Sequence, residues 1–170
     1  MSKYVFKSYN KIFPELFSKE KDRISPFLKK VLFIEHVGST AIPGLGGKGI
    51  IDIAIAVHKQ DMDATLQELQ ALDYEFRPSF STPDRLYFVI DLPDPQEGNR
   101  RYHIHLTYPE SNDWIGFIGF RDYLRTHPES VQEYAELKEK AALEADQKGA
   151  VYRKIKEPIF QKITALIQDL

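Results

Sequence analysis

Residues 49–57, Gly-Ile-Ile-Asp-Ile-Ala-Ile-Ala-Val, constrain this chain more than any other segment. A half-exposed strand alternates apolar with polar residues, and this one hardly alternates at all. It reads as a β-branched strand buried on both faces, which requires partner strands on its edges and packed layers above and below. The one polar side chain in the run is Asp52, set among Ile50, Ile51, Ile53 and Ile55. A carboxylate in such surroundings is costly unless it is paired, hydrogen-bonded or bound to a metal.

The flanking sequence supplies the rest of a fold. Apolar residues from Asn10 to Val31 keep helical spacing, with Pro26 kinking or splitting the helix. Residues 31–37 read as a strand and 61–74 as a helix. Two further strands, 74–80 and 85–91, are joined by Ser-Thr-Pro-Asp, 91–99 reads as an irregular loop, and 100–108 as a strand. Beyond Pro109 the pattern is helical: 113–127 with Asp113 as N-cap, then a helix opened by a Thr126-x-x-Glu129 capping box and running to about Gln147. Gly149 marks its end, and a last helix spans about 154–170 with Pro158 in its first turn. Strands in the middle and helices at both ends predict an α+β layer structure, a mixed sheet flanked by helices, in one domain over residues 1–170.

Composition narrows the function classes. A formal charge of −2 gives no cationic field for nucleic acid. The absence of cysteine removes disulfides and thiolate metal sites and fits a reducing compartment. Neither a signal peptide nor a membrane-spanning run is evident, so a soluble cytoplasmic protein is expected.

The stretch 35–53, Glu-His-Val-Gly-Ser-Thr-Ala-Ile-Pro-Gly-Leu-Gly-Gly-Lys-Gly-Ile-Ile-Asp-Ile, is where chemistry concentrates. Residues 44–49 match the letters of a dinucleotide fingerprint, but they run into a strand instead of opening a helix. Lys48 is followed by Gly, which rules out a Walker A loop. Gly38, Ser39 and Thr40 are more informative: they end one strand just before the strand carrying Asp52. Glycine allows close approach of a ligand, and the hydroxyls and N–H groups suit phosphate oxygens. The structural alternative is a turn whose groups hydrogen-bond Asp52, and the residues alone leave both open.

Residues 34–57, the later His-Ile-His-Leu-Thr, and Gly-Phe-Arg-Asp-Tyr-Leu-Arg-Thr-His-Pro-Glu together resemble the GrpB family of uncharacterised bacterial proteins, over essentially the whole chain. That resemblance implies a nucleotidyltransferase-like fold and a nucleotide, or nucleotide-containing metabolite, as ligand. It also implies transfer of a nucleotidyl group to a small acceptor with Mg²⁺ or Mn²⁺; some members are fused to dephospho-coenzyme A kinase. The superfamily places Gly-Ser after a strand and carboxylate–apolar–carboxylate on the next, so that both acids share a face. Gly38, Ser39 and Asp52 match this pattern. Position 54 is Ala54 and does not.

His103 and His105, two apart and so on one face of their strand, are the candidate replacements, as catalytic groups or, with Asp52, as metal ligands. Arg101 and Thr107 share their face, and His36 is a further candidate. His58 and His127 read as surface residues. Lys48, in the Gly loop before Asp52, is the cation better placed for substrate. Arg121 and Arg125, four apart on a helix, either grip an anion or tie that helix to the sheet. Trp114, Phe117 and Phe120 read as core, and residues 136–148 as a charged helix face without a partner. Two alternatives stand beside the transferase: a non-catalytic nucleotide-binding or interaction module that lost its second carboxylate, and a metal-dependent hydrolase built on Asp52, His103 and His105.

Overall fold

In a computed structural model, which describes residues 7–144 together with positions 161 and 165, a five-stranded mixed sheet forms the centre. The strands are β1 (Phe33–Val37), β2 (Ile51–Ala56), β3 (Glu75–Phe76), β4 (Leu86–Asp94) and β5 (Gly98–Thr107), in the spatial order β1-β2-β5-β4-β3. Four helices accompany them: α1 (Phe13–Ile24), α2 (Met62–Ala71), α3 (Asn112–Thr126) and α4 (Pro128–Glu144). The fold is α+β, as the distribution of apolar patterns predicts. The expected turn at Gly149 and the helix over 154–170 lie outside the described residues.

β2 runs parallel to β5, whereas every other neighbouring pair is antiparallel. The parallel pair aligns Asp52 with His103 and Ala54 with His105. Side chains alternate between faces, so one face carries Ile51, Ile53, Ile55, Ile104, Leu106 and Phe88, and the other carries Asp52, Ala54, His103, His105 and Tyr87. The apolar face packs on Phe13, Leu16 and Ile24 of α1 and on Met62 and Leu69 of α2, forming the main core. The other face is covered in part by α3: Trp114 stacks on Phe33, and Phe117 meets the His105 ring. A second cluster (Ile42, Leu45, Leu124, Val131, Tyr134) joins α3 and α4 to the Gly-rich loop.

Several local expectations are corrected. α1 stops at Ile24, and Pro26 lies in a separate 3-10 turn over Ser25–Phe27, so the proline splits the helix. The strand expected over 74–80 shrinks to two residues before a 3-10 turn at Pro78–Phe80. Residues 91–99 are a hairpin rather than a loop: the Asp94 carboxylate accepts from the N–H groups of Gln96 and Glu97, and Gly98 takes a positive φ of 75°. Ser111, not Asp113, caps α3, accepting from Trp114 N at 3.0 Å. The capping box does not form, because the Thr126 hydroxyl turns back to the carbonyls of Asp122 and Tyr123 at the end of α3.

Candidate functional site

The Asp52 carboxylate is met from the neighbouring strand by both histidines. Its Oδ1 lies 3.3 Å from His103 Nδ1 and 3.2 Å from His105 Nε2. The three side chains are 22%, 16% and 13% exposed, so the cluster is recessed but reachable. Burial alone would push the Asp52 carboxyl up; hydrogen bonds and charge from His103 and His105 outweigh it and hold the group below the usual carboxylate range. Asp52 is therefore ionised at neutral pH, which resolves the cost of a carboxylate in so apolar a strand.

Two residues that the motif reading missed complete the cluster. The Tyr87 hydroxyl sits 2.9 Å from the His103 ring nitrogens, and burial followed by the Asp52 charge pushes it up to about 12. Arg85 Nη1 faces His105 Nδ1 at 3.5 Å and its Nε lies 3.5 Å from Asp113 at the start of α3. A guanidinium only donates, so His105 Nδ1 is the acceptor and Nε2 carries the proton given to Asp52. The signal for both residues was present in the sequence: strand alternation over 85–91 puts Arg85, Tyr87, Val89 and Asp91 on one face. What it could not give is that this face is shared with His103 and His105.

Gly38 is required by its neighbours. Its φ is +75°, and a Cβ there would stand 2.6 Å from Asp52 Oδ2. The loop backbone thus closes directly over the carboxylate. Ser39 opens a 3-10 turn, Ser39–Ala41. Thr40 is buried and occupied: its hydroxyl donates to the Ile50 carbonyl and receives His36 Nε2. His36 lies on the opposite face of the sheet, stacked on Phe17, and burial pushes it down to about 4, so it is a neutral structural residue and not part of the cluster.

The remaining cations are placed as follows. Arg121 is buried and donates to Glu35, Asp122 and the His36 carbonyl, tying α3 to β1. Arg125 donates to the Ala41 carbonyl and lines a cavity of about 570 Å³ between Tyr9, the Gly-rich loop and α4. Lys48 is exposed. Arg101 forms an exposed pair with Asp91. The charged stretch beginning at Glu136 is not wholly solvated, since Lys138 is only 5% exposed and its Nζ lies over the Tyr134 ring.

Ala54, where a second carboxylate is expected, is fully buried. Its register partners are Glu35 and His105, which α3 covers through Arg121 and Phe117. With Ala54 there, Asp52 is the one carboxylate on this face of β2. Among the described residues no group of three His, Cys, Asp or Glu side chains is disposed to hold a metal ion. Asp52, His103 and His105 instead hydrogen-bond one another, and two imidazoles with one carboxylate match poorly the all-oxygen shell that Mg²⁺ prefers. Nor is any described helix long and apolar enough to cross a membrane.

The same architecture recurs in known proteins. The GrpB protein family model matches residues 4–166. A UPF0157 protein of Pseudomonas aeruginosa is 34% identical over 152 residues, 88% of this chain and 62% of its own length. The UPF0157 protein YqkA of Bacillus subtilis is 36% identical over 138 residues, 79% of this chain but 38% of that protein. This chain therefore spans well under the full length of either relative. Among solved structures, the conserved protein GrpB from Enterococcus faecalis superposes with a TM-score of 0.74 at 26% identity, covering 93% of this chain and 98% of that one.

Proposed function

The chain belongs to the GrpB protein family, and from that premise we propose that it is a nucleotidyltransferase-like protein of the cytoplasm that binds a nucleotide or nucleotide-containing metabolite over Asp52. The observation carrying this reading is the Asp52 carboxylate itself, held ionised beneath the Gly38 backbone and between two histidines. A structural carboxylate needs hydrogen-bond donors; it does not need a glycine fitted over it and a tyrosine and arginine ordering the far sides of its donors.

In this reading, the phosphate-bearing part of the ligand meets the Gly38-Ser39 backbone, because loop N–H groups favour anions. Asp52 would be the one carboxylate here that could meet a divalent ion carried by the nucleotide, whose charge it would help to neutralise. His103 and His105 take or give protons at Nδ1 and Nε2, with Asp52 fixing their orientation. A binding module without transfer chemistry is the second reading, and Ala54 in place of a second carboxylate favours it.

Thermal-shift titration with ATP, GTP, CTP, UTP and dephospho-coenzyme A, each with and without Mg²⁺ or Mn²⁺, tests the proposal, because a native-state ligand raises stability by mass action. A metal-dependent shift that Asp52→Asn abolishes is the expected result. No shift with any of the five would sink it. Release of pyrophosphate from the stabilising nucleotide separates transfer from binding alone.

A further inference from the structure

Resting on the nucleotide reading, we propose that Phe80 is the stacking platform for the base of the ligand, which makes that ligand one carrying a planar heteroaromatic ring. Single apolar side chains on a surface need no explanation. Phe80 differs because it ends a row of rings that begins at the site. His103 and His105 meet Asp52. The Tyr87 ring lies 4.9 Å from that of His103 and 5.4 Å from that of His105, and the Phe80 ring lies 5.9 Å from Tyr87. The row ends in water: Phe80 is 59% exposed.

A hydrogen-bonded turn holds the ring in that position. Within the 3-10 turn Pro78–Phe80, Phe80 N donates to the Arg77 carbonyl and Ser81 N to the Pro78 carbonyl, both at 3.1 Å. The Ser81 hydroxyl donates to the Arg77 carbonyl and accepts from Tyr87 N, which binds the turn to β4. Arg85 Nη2 donates to the Phe80 carbonyl at 3.3 Å, while Nη1 of the same guanidinium faces His105 Nδ1. Packing on Tyr87 does not account for a ring fixed in this way and yet left largely in water. A planar ligand ring would cover it, and any base can serve, because stacking uses the π-face and not the hydrogen-bonding edge. Only β5 separates β2 from β4, so the strand carrying Tyr87 stands about 10 Å across the sheet from the strand carrying Asp52. Phosphates near Gly38 and Asp52 and a base on Phe80 are thus the two ends of one nucleotide.

The test is isothermal titration of the full chain with ATP and, separately, with inorganic tripolyphosphate, each in Mg²⁺. The wild type is expected to bind ATP more tightly, because the base adds its stack; equal affinities overturn the proposal. Phe80→Ala is expected to weaken ATP at least about fivefold, the low end for one base–aromatic stack, and to leave tripolyphosphate within about twofold. Phe80→Tyr, which keeps the ring, is expected to hold ATP within about twofold of the wild type; a loss as large as that of Phe80→Ala overturns the proposal. Because the side chain is largely exposed, both variants should melt with the wild type. A Phe80→Ala protein that binds ATP like the wild type overturns the platform and leaves the Asp52-centred reading intact. Equal weakening of ATP and tripolyphosphate also overturns it, since the lost contact is then not with the base. If ATP binds and tripolyphosphate does not, the effect of Phe80→Ala on ATP decides alone. A wild type that binds neither ATP nor any other nucleoside triphosphate overturns both readings.

Discussion

The two faces of one sheet have opposite properties although they are woven from the same strands. On β2 and β5 the residues facing α1 and α2, among them Ile51, Ile53, Ile55, Ile104 and Leu106, are all completely buried. The residues between them, Asp52, His103 and His105, form a hydrogen-bonded polar cluster. A strand places consecutive side chains on opposite faces, so a core and a site can share backbone without sharing surroundings. The apolar face fixes register, and register in turn sets Asp52 opposite His103.

Substitutions on the two faces should separate stability from binding. Ile53→Ala removes a fully buried side chain from the main core and should cost about 2–5 kcal/mol in denaturant melts, with the nucleotide-dependent thermal shift of the folded protein retained. His36 extends the comparison to pH. It is the neutral histidine of the core face, pushed down to about 4, while the unfolded chain takes up its proton near the ordinary value of 6.5. Below that value the unfolded state binds more protons, so stability is full above pH 6.5 and is lost as pH falls toward 4. The loss is about 3 kcal/mol, and His36→Gln should abolish it in melts across that range.

Smaller effects belong to the site face. Gly98→Ala meets no neighbour within 4 Å and pays only for its positive φ, about 1–2 kcal/mol. Gly38→Ala has the same φ and also meets Asp52 Oδ2, so its melting temperature should fall further than that of Gly98→Ala; equal losses would show that the loop does not press on the carboxylate. For Asp52→Asn the signature is the acid limb of the stability curve. The folded carboxyl is held below its ordinary value of 3.8, so its contribution is present above about pH 4 and disappears as pH falls further. Asp52→Asn should flatten that acid limb, and a mutant that denatures in acid as the wild type does would contradict the pairing with His103 and His105.

Much of this was legible in the sequence, and what was not has physical causes. Alternation alone puts His103 and His105 on one side, and the cost of an apolar-flanked carboxylate marks Asp52. Their meeting was not legible, because β2 and β5 pair across the whole of α2, β3 and β4, and no local pattern encodes which strands become neighbours. The hairpin at 91–99 was hidden by Pro93 and a polar composition; the Asp94 side chain, not the apolar pattern, makes that turn. Lys138 read as one charge among many on a helix, since its burial depends on where α4 meets the Gly-rich loop. Arg121 had two readings, and its contacts with Glu35 and the His36 carbonyl are those of the structural one.

The parallel pairing of β2 with β5 also has a consequence for synthesis. β2 leaves the ribosome well before its central partner exists, because the chain from His58 to Glu97 must be made first. At about 5–20 residues per second, that interval lasts roughly 2–8 s. Through it, the most apolar strand of the protein has β1 on one edge and nothing on the other, a template for pairing with another nascent chain. The carboxylate of Asp52, the one charge in that strand, then guards the open edge against such pairing before it has any histidine to bind.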